Sequence, residues 1–475
     1  MRPTRRRHII VILRGATEAG GVWFLVRKPE RAFMSTTLQH DDLARLDDSG
    51  VTREHWKIMF ISGMGFFTDA YDLFIIGVAM HLIKAEWHTS PLADGLVTST
   101  ALLAAALGAL LFGRVADMLG RKRIYGYEVL VLAFGAVASA FSPNIWWLIF
   151  FRVILGVGIG GDYPVSSTIM SEYAGKRNRG MMVSLVFAMQ AAGLIVGPLL
   201  AALLLVVGIH HDLVWRLLLA FGAVPALAVF QLRRNLAETP RFRMASSQQN
   251  GKVSFAEGFR KLLARRDLRL RLLGASLAWF LMDFAYYGNT VSSPMVLHAI
   301  APKSSLLTQT LTQLAVFAVA AVPGYFVAAA MMDRMGRKPI QVLGFAMMAI
   351  SFLAMALIPG IETLIYPFLI IYGISYFFTE FGPNATTFVY PAELFPVEGR
   401  TTGHGIASAA GKIGGFAGVF TFPLLMSWHG LLSAELGAAA ASVLGLGVTL
   451  AMLPETKGRS LEELSAAPGG EKVAA

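Results

Sequence analysis

Several ionisable side chains stand in otherwise apolar stretches: Asp69 and Asp72, Glu128, Arg152 and Asp162, Asp283, Glu380 and Lys412. In hydrocarbon a central charge costs about 2.5–3.5 kcal/mol on insertion scales, so a group of them needs a use. Burial favours the neutral carboxyl and a neighbouring cation favours the charged one. A buried aspartate whose cation comes and goes can therefore load and release a proton. A buried lysine such as Lys412 favours an anionic substrate. When empty it needs a counter-charge, for which Asp162 is the candidate, and an arriving anion would free that carboxylate to take a proton. Together these are the parts of a proton-coupled anion carrier. Glu128 and Arg152, on neighbouring helices of one half, are expected to neutralise each other. The uncharged polar and aromatic residues nearby are Tyr163, Gln190, Trp279, Tyr287 and Asn384. Trp279, Asp283 and Tyr287 recur every four residues, share one helix face and read as a cavity wall.

Such side chains need elements to hold them. The chain has 475 residues, of which 55% are hydrophobic with glycine left out of the count, and 15% are charged. An ordinary soluble domain carries about 25% charged residues, so too few remain here to cover a soluble surface. The apolar residues fall into twelve runs, each the length of a helix that crosses a bilayer. They centre on 61–82, 92–112, 124–141, 145–170, 181–207, 213–232, 272–297, 306–331, 340–357, 364–390, 403–426 and 431–453. Lipid offers no partner for free backbone groups, so each must be a helix. The net charge of +11 sits mainly in alternate short loops. That is the positive-inside pattern, which places the even-numbered loops and both termini in the cytoplasm. Nucleic acid is not expected as a partner.

Cysteine is absent, which excludes disulfides, thiolate metal sites and a cysteine nucleophile. No metal cluster or nucleophile–base pair is visible, so neither an enzyme nor a cofactor is expected. Gly156-Val157-Gly158-Ile159-Gly160-Gly161 has nucleotide-loop spacing but lies inside an apolar run, where close helix packing explains it better. Gly405 to Lys412 is one residue too long for a phosphate loop and ends on Ile413 where a magnesium-binding hydroxyl is needed. Transport is therefore expected to run on an ion gradient.

The chain repeats itself. Asp117-x-x-Gly120-Arg121-Lys122 returns as Asp333-x-x-Gly336-Arg337-Lys338, and Glu172 with Arg179 returns as Glu393 with Arg400. Two six-helix halves follow, with the substrate site between them. The expected boundaries are a polar leader 1–54, an N-terminal bundle 55–232, a basic cytoplasmic linker 233–271, a C-terminal bundle 272–453 and a cytoplasmic tail 454–475. Residues 1–33 are expected to be a mis-assigned start, because Met34 opens a conventional leader.

The two Asp-x-x-Gly-Arg-Lys loops resemble the gate loops of the major facilitator superfamily. Pro454-Glu455-Thr456-Lys457-Gly458 resembles its sugar-porter branch. Phe66-Phe67-Thr68-Asp69-Ala70-Tyr71-Asp72, Gly160-Gly161-Asp162-Tyr163-Pro164 and Phe381-Gly382-Pro383-Asn384-Ala385-Thr386-Thr387-Phe388 resemble the proton-coupled inorganic phosphate symporters of fungi and plants. The likeness covers roughly residues 55–464. It implies a twelve-helix all-α membrane protein that carries phosphate with protons into the cell and acts as a monomer in the plasma membrane, or the inner membrane if bacterial. Asp162, Tyr163, Gln190, Trp279, Asp283, Tyr287, Asn384 and Lys412 would surround phosphate. Asp69, Asp72, Asp162, Asp283, Glu128 and Arg152 would serve the proton path, with Glu128 and Arg152 a linked pair. Asp117, Arg121, Glu172, Arg179, Asp333, Arg337, Glu393 and Arg400 would form a cytoplasmic gate. The central loop is short beside those of fungal members, which points to a prokaryotic relative. The alternatives are another proton-coupled solute (an organic anion, a glycerophosphodiester or a sugar) or a phosphate sensor without net flux.

Overall fold

The computed structural model describes residues 40–248 and 255–466; expectations for the start of the leader and the end of the tail fall outside these residues. Every regular element among the described residues is helical. Twelve are long: α1 (Arg53–Trp87), α2 (Pro91–Leu119), α3 (Arg121–Ala140), α4 (Ile145–Tyr173), α5 (Arg179–Val206), α6 (His211–Arg233), α7 (Arg266–Val291), α8 (Leu306–Met335), α9 (Arg337–Leu357), α10 (Ile365–Leu394), α11 (Arg400–His429) and α12 (Leu431–Met452). Eleven of the described helices are long and apolar enough to cross a membrane, and α7 is the remaining one. Its 26 residues suffice, but Arg266, Asp267, Arg269 and Arg271 crowd its first turns.

Local chemistry sets the ends. Thr52 caps α1 in a reciprocal box with His55, Ser90 caps α2 ahead of Pro91, and Asn144 and Ser305 cap α4 and α8. α2 and α8 both stop at a glycine of positive φ, Gly120 (97°) and Gly336 (100°). α6 runs one residue past its expected boundary, ending on Arg233, and α7 begins at Arg266 rather than Leu272. Large apolar side chains such as Leu107, Phe134 and Val319 face outward, as a lipid-facing belt requires.

Hydrophobicity cannot drive helices together in lipid, so they associate through close contact of small residues. A Cβ on Gly156 would stand 2.2 Å from the Ala101 carbonyl oxygen, and one on Gly160 1.9 Å from that of Ala105. These glycines seat α4 against α2, which accounts for the nucleotide-like spacing. α11 repeats the device on α7, where Gly414 and Gly418 would each meet a Phe280 or Phe284 carbonyl oxygen at 2.1 Å. The seam between the halves is built likewise: Gly405 of α11 approaches the Ala109 carbonyl and Gly113 of α2 that of Thr401.

Gly160→Leu should break the α4–α2 seam. Overpacking costs about 1–3 kcal/mol, and more where backbone stands in the way. The expected outcome is a lower thermal midpoint in detergent, and an unchanged midpoint would contradict the packing.

Candidate functional site

Lys412, on α11, is buried where the two halves meet. Its Nζ donates to Asp283 Oδ2 at 3.1 Å and to the Tyr287 hydroxyl at 3.0 Å, both on α7. It also lies over the rings of Tyr163 (4.2 Å) and Tyr287 (4.6 Å). A hydrogen-bonded line leads away from it. Gln190 Nε2 donates to the Tyr163 hydroxyl at 3.0 Å, the Tyr325 hydroxyl to Gln190 Oε1 at 3.2 Å, and Asn384 Nδ2 to the Tyr325 hydroxyl at 3.2 Å. Trp279 packs near Tyr163, with ring centroids 6.1 Å apart and planes tilted by 52°. The structure thus gathers Tyr163 and Gln190 of one half with Trp279, Asp283, Tyr287, Asn384 and Lys412 of the other. The expected counter-charge to Lys412 was Asp162, whereas the lysine's partner is Asp283. Both sit on the α7–α11 side, and Asp162 on α4 is already engaged.

Asp162 is held by Arg233, a residue the sequence reading counted as loop charge. Arg233 is fully buried at the end of α6. Its guanidinium donates to Asp162 Oδ2 and to Glu128 Oε1, each at 2.8 Å, and lies over the Tyr125 ring at 4.0 Å. The expected Glu128–Arg152 pair is therefore absent. Arg152 instead donates to the Asp72 carbonyl oxygen at 3.0 Å. Reach explains the exchange, because the last turn of α6 lands on α3 and α4 where their carboxylates converge. Gly65 makes room for it, since a Cβ there would stand 1.7 Å from Asp162 Oδ2 and 2.1 Å from Arg233 Nη2. The remaining Asp162 oxygen accepts from Ser166 at 2.5 Å. Only one sequence signal could have exposed Arg233: it directly follows an apolar run instead of standing apart from it.

Asp69 is buried beside this trio, and neither carboxylate oxygen has a hydrogen-bond partner. It lines a void of about 10 Å³ together with Thr68, Glu128 and Asp162. Asp72, one turn further along α1, packs against Gly222, where a Cβ would stand 2.0 Å from its Oδ1. Sequence reasoning also overlooked Tyr325, in the hydrogen-bonded line, and Glu435 of α12, buried and reached by Asn289 Nδ2 at 3.4 Å.

At the end of the bundle that bears the basic loops, the halves are tied reciprocally. Asp117, ending α2, accepts from the backbone N–H of Thr402 at 2.7 Å, at the start of α11. Asp333, ending α8, accepts from Gly180 and Met181 N–H at 3.1 and 2.7 Å, at the start of α5. Each acid thus caps the positive end of a helix from the opposite half. Arg121 pairs with Asp117 and Glu172, and Arg337 with Asp333 and Glu393. Arg400 reaches across to Glu172 at 3.0 Å. Its repeat mate Arg179 makes no matching ion pair with Glu393; it lies 3.5 Å from Asp47 and donates to the Arg459 carbonyl.

A further repeat emerges here. Glu238-Thr239 after α6 and Glu455-Thr456 after α12 do the same work. Glu238 accepts from Lys122 N–H and Glu455 from Arg337 and Lys338 N–H, while Thr239 and Thr456 donate to Glu172 and Glu393 at 2.5 Å. Gly120 and Gly336 permit this, because a Cβ would meet those glutamates at 2.4 and 2.5 Å. Below the gate, Arg241 joins Asp47 (2.5 Å) to Glu462 of the tail (3.0 Å). Burial pushes the Asp47 carboxyl up despite Arg241 beside it. Burial pushes Glu462 the same way, but Arg241 and Arg400 outweigh it and hold that carboxyl below the usual range. At the other end of the bundle the halves part around a cavity of about 490 Å³, lined by His81, Lys84, Asp94 and Thr98 of the N half and Ser292 and Phe420 of the C half.

Comparison with known proteins agrees with this architecture. The Major Facilitator Superfamily profile matches residues 62–419. The chain is 35% identical to a probable inorganic phosphate transporter 1-6 of Arabidopsis thaliana, over 93% of this chain and 99% of that one. It is 36% identical to inorganic phosphate transporter 1-11 of Oryza sativa subsp. japonica, over 90% of each. Among solved structures, a proton:xylose symporter bound to a bromodeoxyglucose matches with a TM-score of 0.73 at 20% identity, over 86% of this chain and 98% of that one. A partially occluded, inward-open xylose transporter from E. coli matches at 0.68, also at 20% identity, over 86% of this chain and 100% of that one. These two share the fold.

Arg233→Met should leave Glu128 and Asp162 facing each other without a cation. Removing one partner of a buried pair costs about 3–5 kcal/mol, so the thermal midpoint should fall sharply. Adding Glu128→Gln and Asp162→Asn should recover most of the loss; a single variant as stable as wild type would deny Arg233 this role. Asp117→Ala should loosen the gate. With no native cysteine, a cysteine at buried Ser167 should then react several-fold faster with a thiol reagent, and an equal rate would mean the cap does not hold that end shut.

Proposed function

The chain belongs to the major facilitator superfamily, and from that premise we propose that it is a secondary transporter that moves inorganic phosphate into the cell with protons. It is not an enzyme. The observation that carries the reading is the buried Lys412, held by Asp283 and Tyr287. The names of the phosphate-transporting relatives, matched over nearly their whole length, support the choice of anion.

Phosphate would enter through the cavity opposite the gate and take Lys412 from Asp283. Tyr163, Gln190, Trp279, Tyr287 and Asn384 offer neutral donors and apolar walls, which suit a small, highly charged anion released again on the far side. Asp283, deprived of its cation in a buried site, would take a proton. That exchange links anion to proton without any direct bond between them. Asp69 and Asp162 would carry protons through the N half. Arg233 would hold Asp162 in place by its ion pair, beside Asp69, which has no hydrogen-bond partner. Asp72 would lie at the edge of that path, and Arg152 would orient α1 through the Asp72 carbonyl.

Alternating access would follow from the small-residue seam and the two reciprocal caps. The caps and ion pairs hold the basic end shut, and their rupture would open it as the halves rock. The excess of Lys and Arg in the gate-side loops supports a cytoplasmic location for that end and for both termini, and the protein would sit in the plasma membrane or a bacterial inner membrane. The gathered residues come from the two halves of one chain, which supports a monomer as the working unit. A neutral sugar would leave Lys412 and Asp283 paired, and nothing in the site favours it.

The test is uptake of labelled phosphate into proteoliposomes, with and without an inward pH gradient. Wild type should accumulate phosphate only with the gradient, and Lys412→Ala should lose accumulation. A folded wild type that takes up no phosphate would overturn the substrate.

A further inference from the structure

One buried carboxyl near the site has no role in the mechanism above. Glu380 lies on α10, fully buried. Asn384, the end of the hydrogen-bonded line that leads from Lys412, donates through Nδ2 to Glu380 Oε2. The tyrosine hydroxyls of Tyr325 on α8 and Tyr286 on α7 also face its carboxyl, and the nearest ionised neighbour is Asp283, itself an acid. Gly324 of α8 is its other close contact, where a Cβ would stand 2.9 Å from the Glu380 Cβ. No lysine, arginine or histidine pairs with it among the described residues; the one cation of the site, Lys412, is committed to Asp283 and Tyr287.

The backbone is shaped to place this acid. Glu380–Asn384 forms a single π-turn, with Gly382 outside helical conformation (φ −98°, ψ −112°) and Pro383 within it. Such turns break the helical ladder and recur at functional sites. The freed Gly382 and Pro383 carbonyls accept from Thr386 and Thr387 hydroxyls at 3.0 and 2.7 Å. Close approach of α9 backs the turn, since a Cβ on Gly382 would stand 2.4 Å from Gly344 Cα. The widened turn lets Glu380 and Asn384, four residues apart, converge side by side.

An ionised carboxylate buried without a cation is expensive. A phosphate anion arriving beside Glu380 makes it more so, because two like charges in one buried site cannot both stay ionised, and the anion's arrival is then what loads Glu380 with a proton. We propose that Glu380 is a second proton-binding site of the carrier, on the C-terminal half, loaded together with the anion and emptied to water when the site opens on the other side. The proton leaves the outer solution, resides on the Glu380 carboxyl in the closed state and departs from the same oxygen. This adds to the proton taken by Asp283 and rests on the phosphate symport proposed above.

The test measures proton and labelled-phosphate flux together in proteoliposomes containing the full chain, for wild type and Glu380→Gln. Glutamine keeps the shape and accepts from Asn384 but cannot ionise. The variant should still move phosphate, with about one proton fewer per phosphate and a flatter dependence of uptake on outer pH. An unchanged ratio and pH profile would overturn the inference while leaving phosphate symport intact, whereas no phosphate flux in wild type would overturn the symport reading first. If Glu380→Gln does not fold, Glu380→Asp withdraws the carboxyl by one methylene and should shift the pH midpoint of phosphate binding to purified protein. An identical midpoint would again overturn the proposal.

Discussion

A charge held away from water is costly without a partner, and that constraint organises the ion pairs of this bundle. Arg233 is flanked by Glu128 and Asp162, Lys412 by Asp283 and Tyr287, and Arg121 and Arg337 of the gate by two acids each. Pairing makes the charges tolerable, and exchange of partners makes them useful. A carrier needs a site that is stable when empty yet ready to trade one of its own ions for the substrate. The Lys412–Asp283 pair would meet that need under the proposed function, because a small anion could replace the aspartate without leaving the lysine bare.

The scaffold answers a second demand, which is to let the halves move without losing their internal order. Within each half, glycines seat one long helix directly on its neighbour's backbone: α4 on α2, and α11 on α7. Between the halves, α2 and α11 meet by the same close approach, through Ala109, Gly113 and Gly405. The polar contacts across the seam gather at the basic end, where Asp117 and Asp333 each cap a helix of the other half. Cohesion inside the halves is steric. Cohesion between them adds hydrogen bonds and ion pairs at one end.

The internal repeat runs through both levels. Asp117 and Asp333, Arg121 and Arg337, Glu172 and Glu393, Glu238 and Glu455, Thr239 and Thr456 occupy matched places around matched glycine turns. The match fails where function needs a difference. Arg400 crosses to Glu172, while Arg179 turns to Asp47 and the tail. The buried charges are also distributed unequally, with the arginine-centred cluster in the N half and the lysine-centred one in the C half.

The sequence alone settled the helices, their number and the repeat, because lipid forces a run of about twenty apolar residues into one conformation and punishes any unneeded charge. For the same reason it picked out residues that the packing brings together: Lys412, Asp283, Tyr163, Gln190 and Asn384 stand out against an apolar background. It could not say who pairs with whom. Arg152 and Arg233 are both arginines within reach of acids in one dimension, and only the landing of α6 on α3 and α4 gave Glu128 to the second. Likewise the sequence pointed to Asp162 as the partner of Lys412, and the packing of α7 against α11 instead put Asp283 at 3.1 Å. Composition is fixed by the solvent each residue meets, and the chain records it locally. Ion pairing depends on distances between residues far apart in the chain, and those are set only when the helices pack.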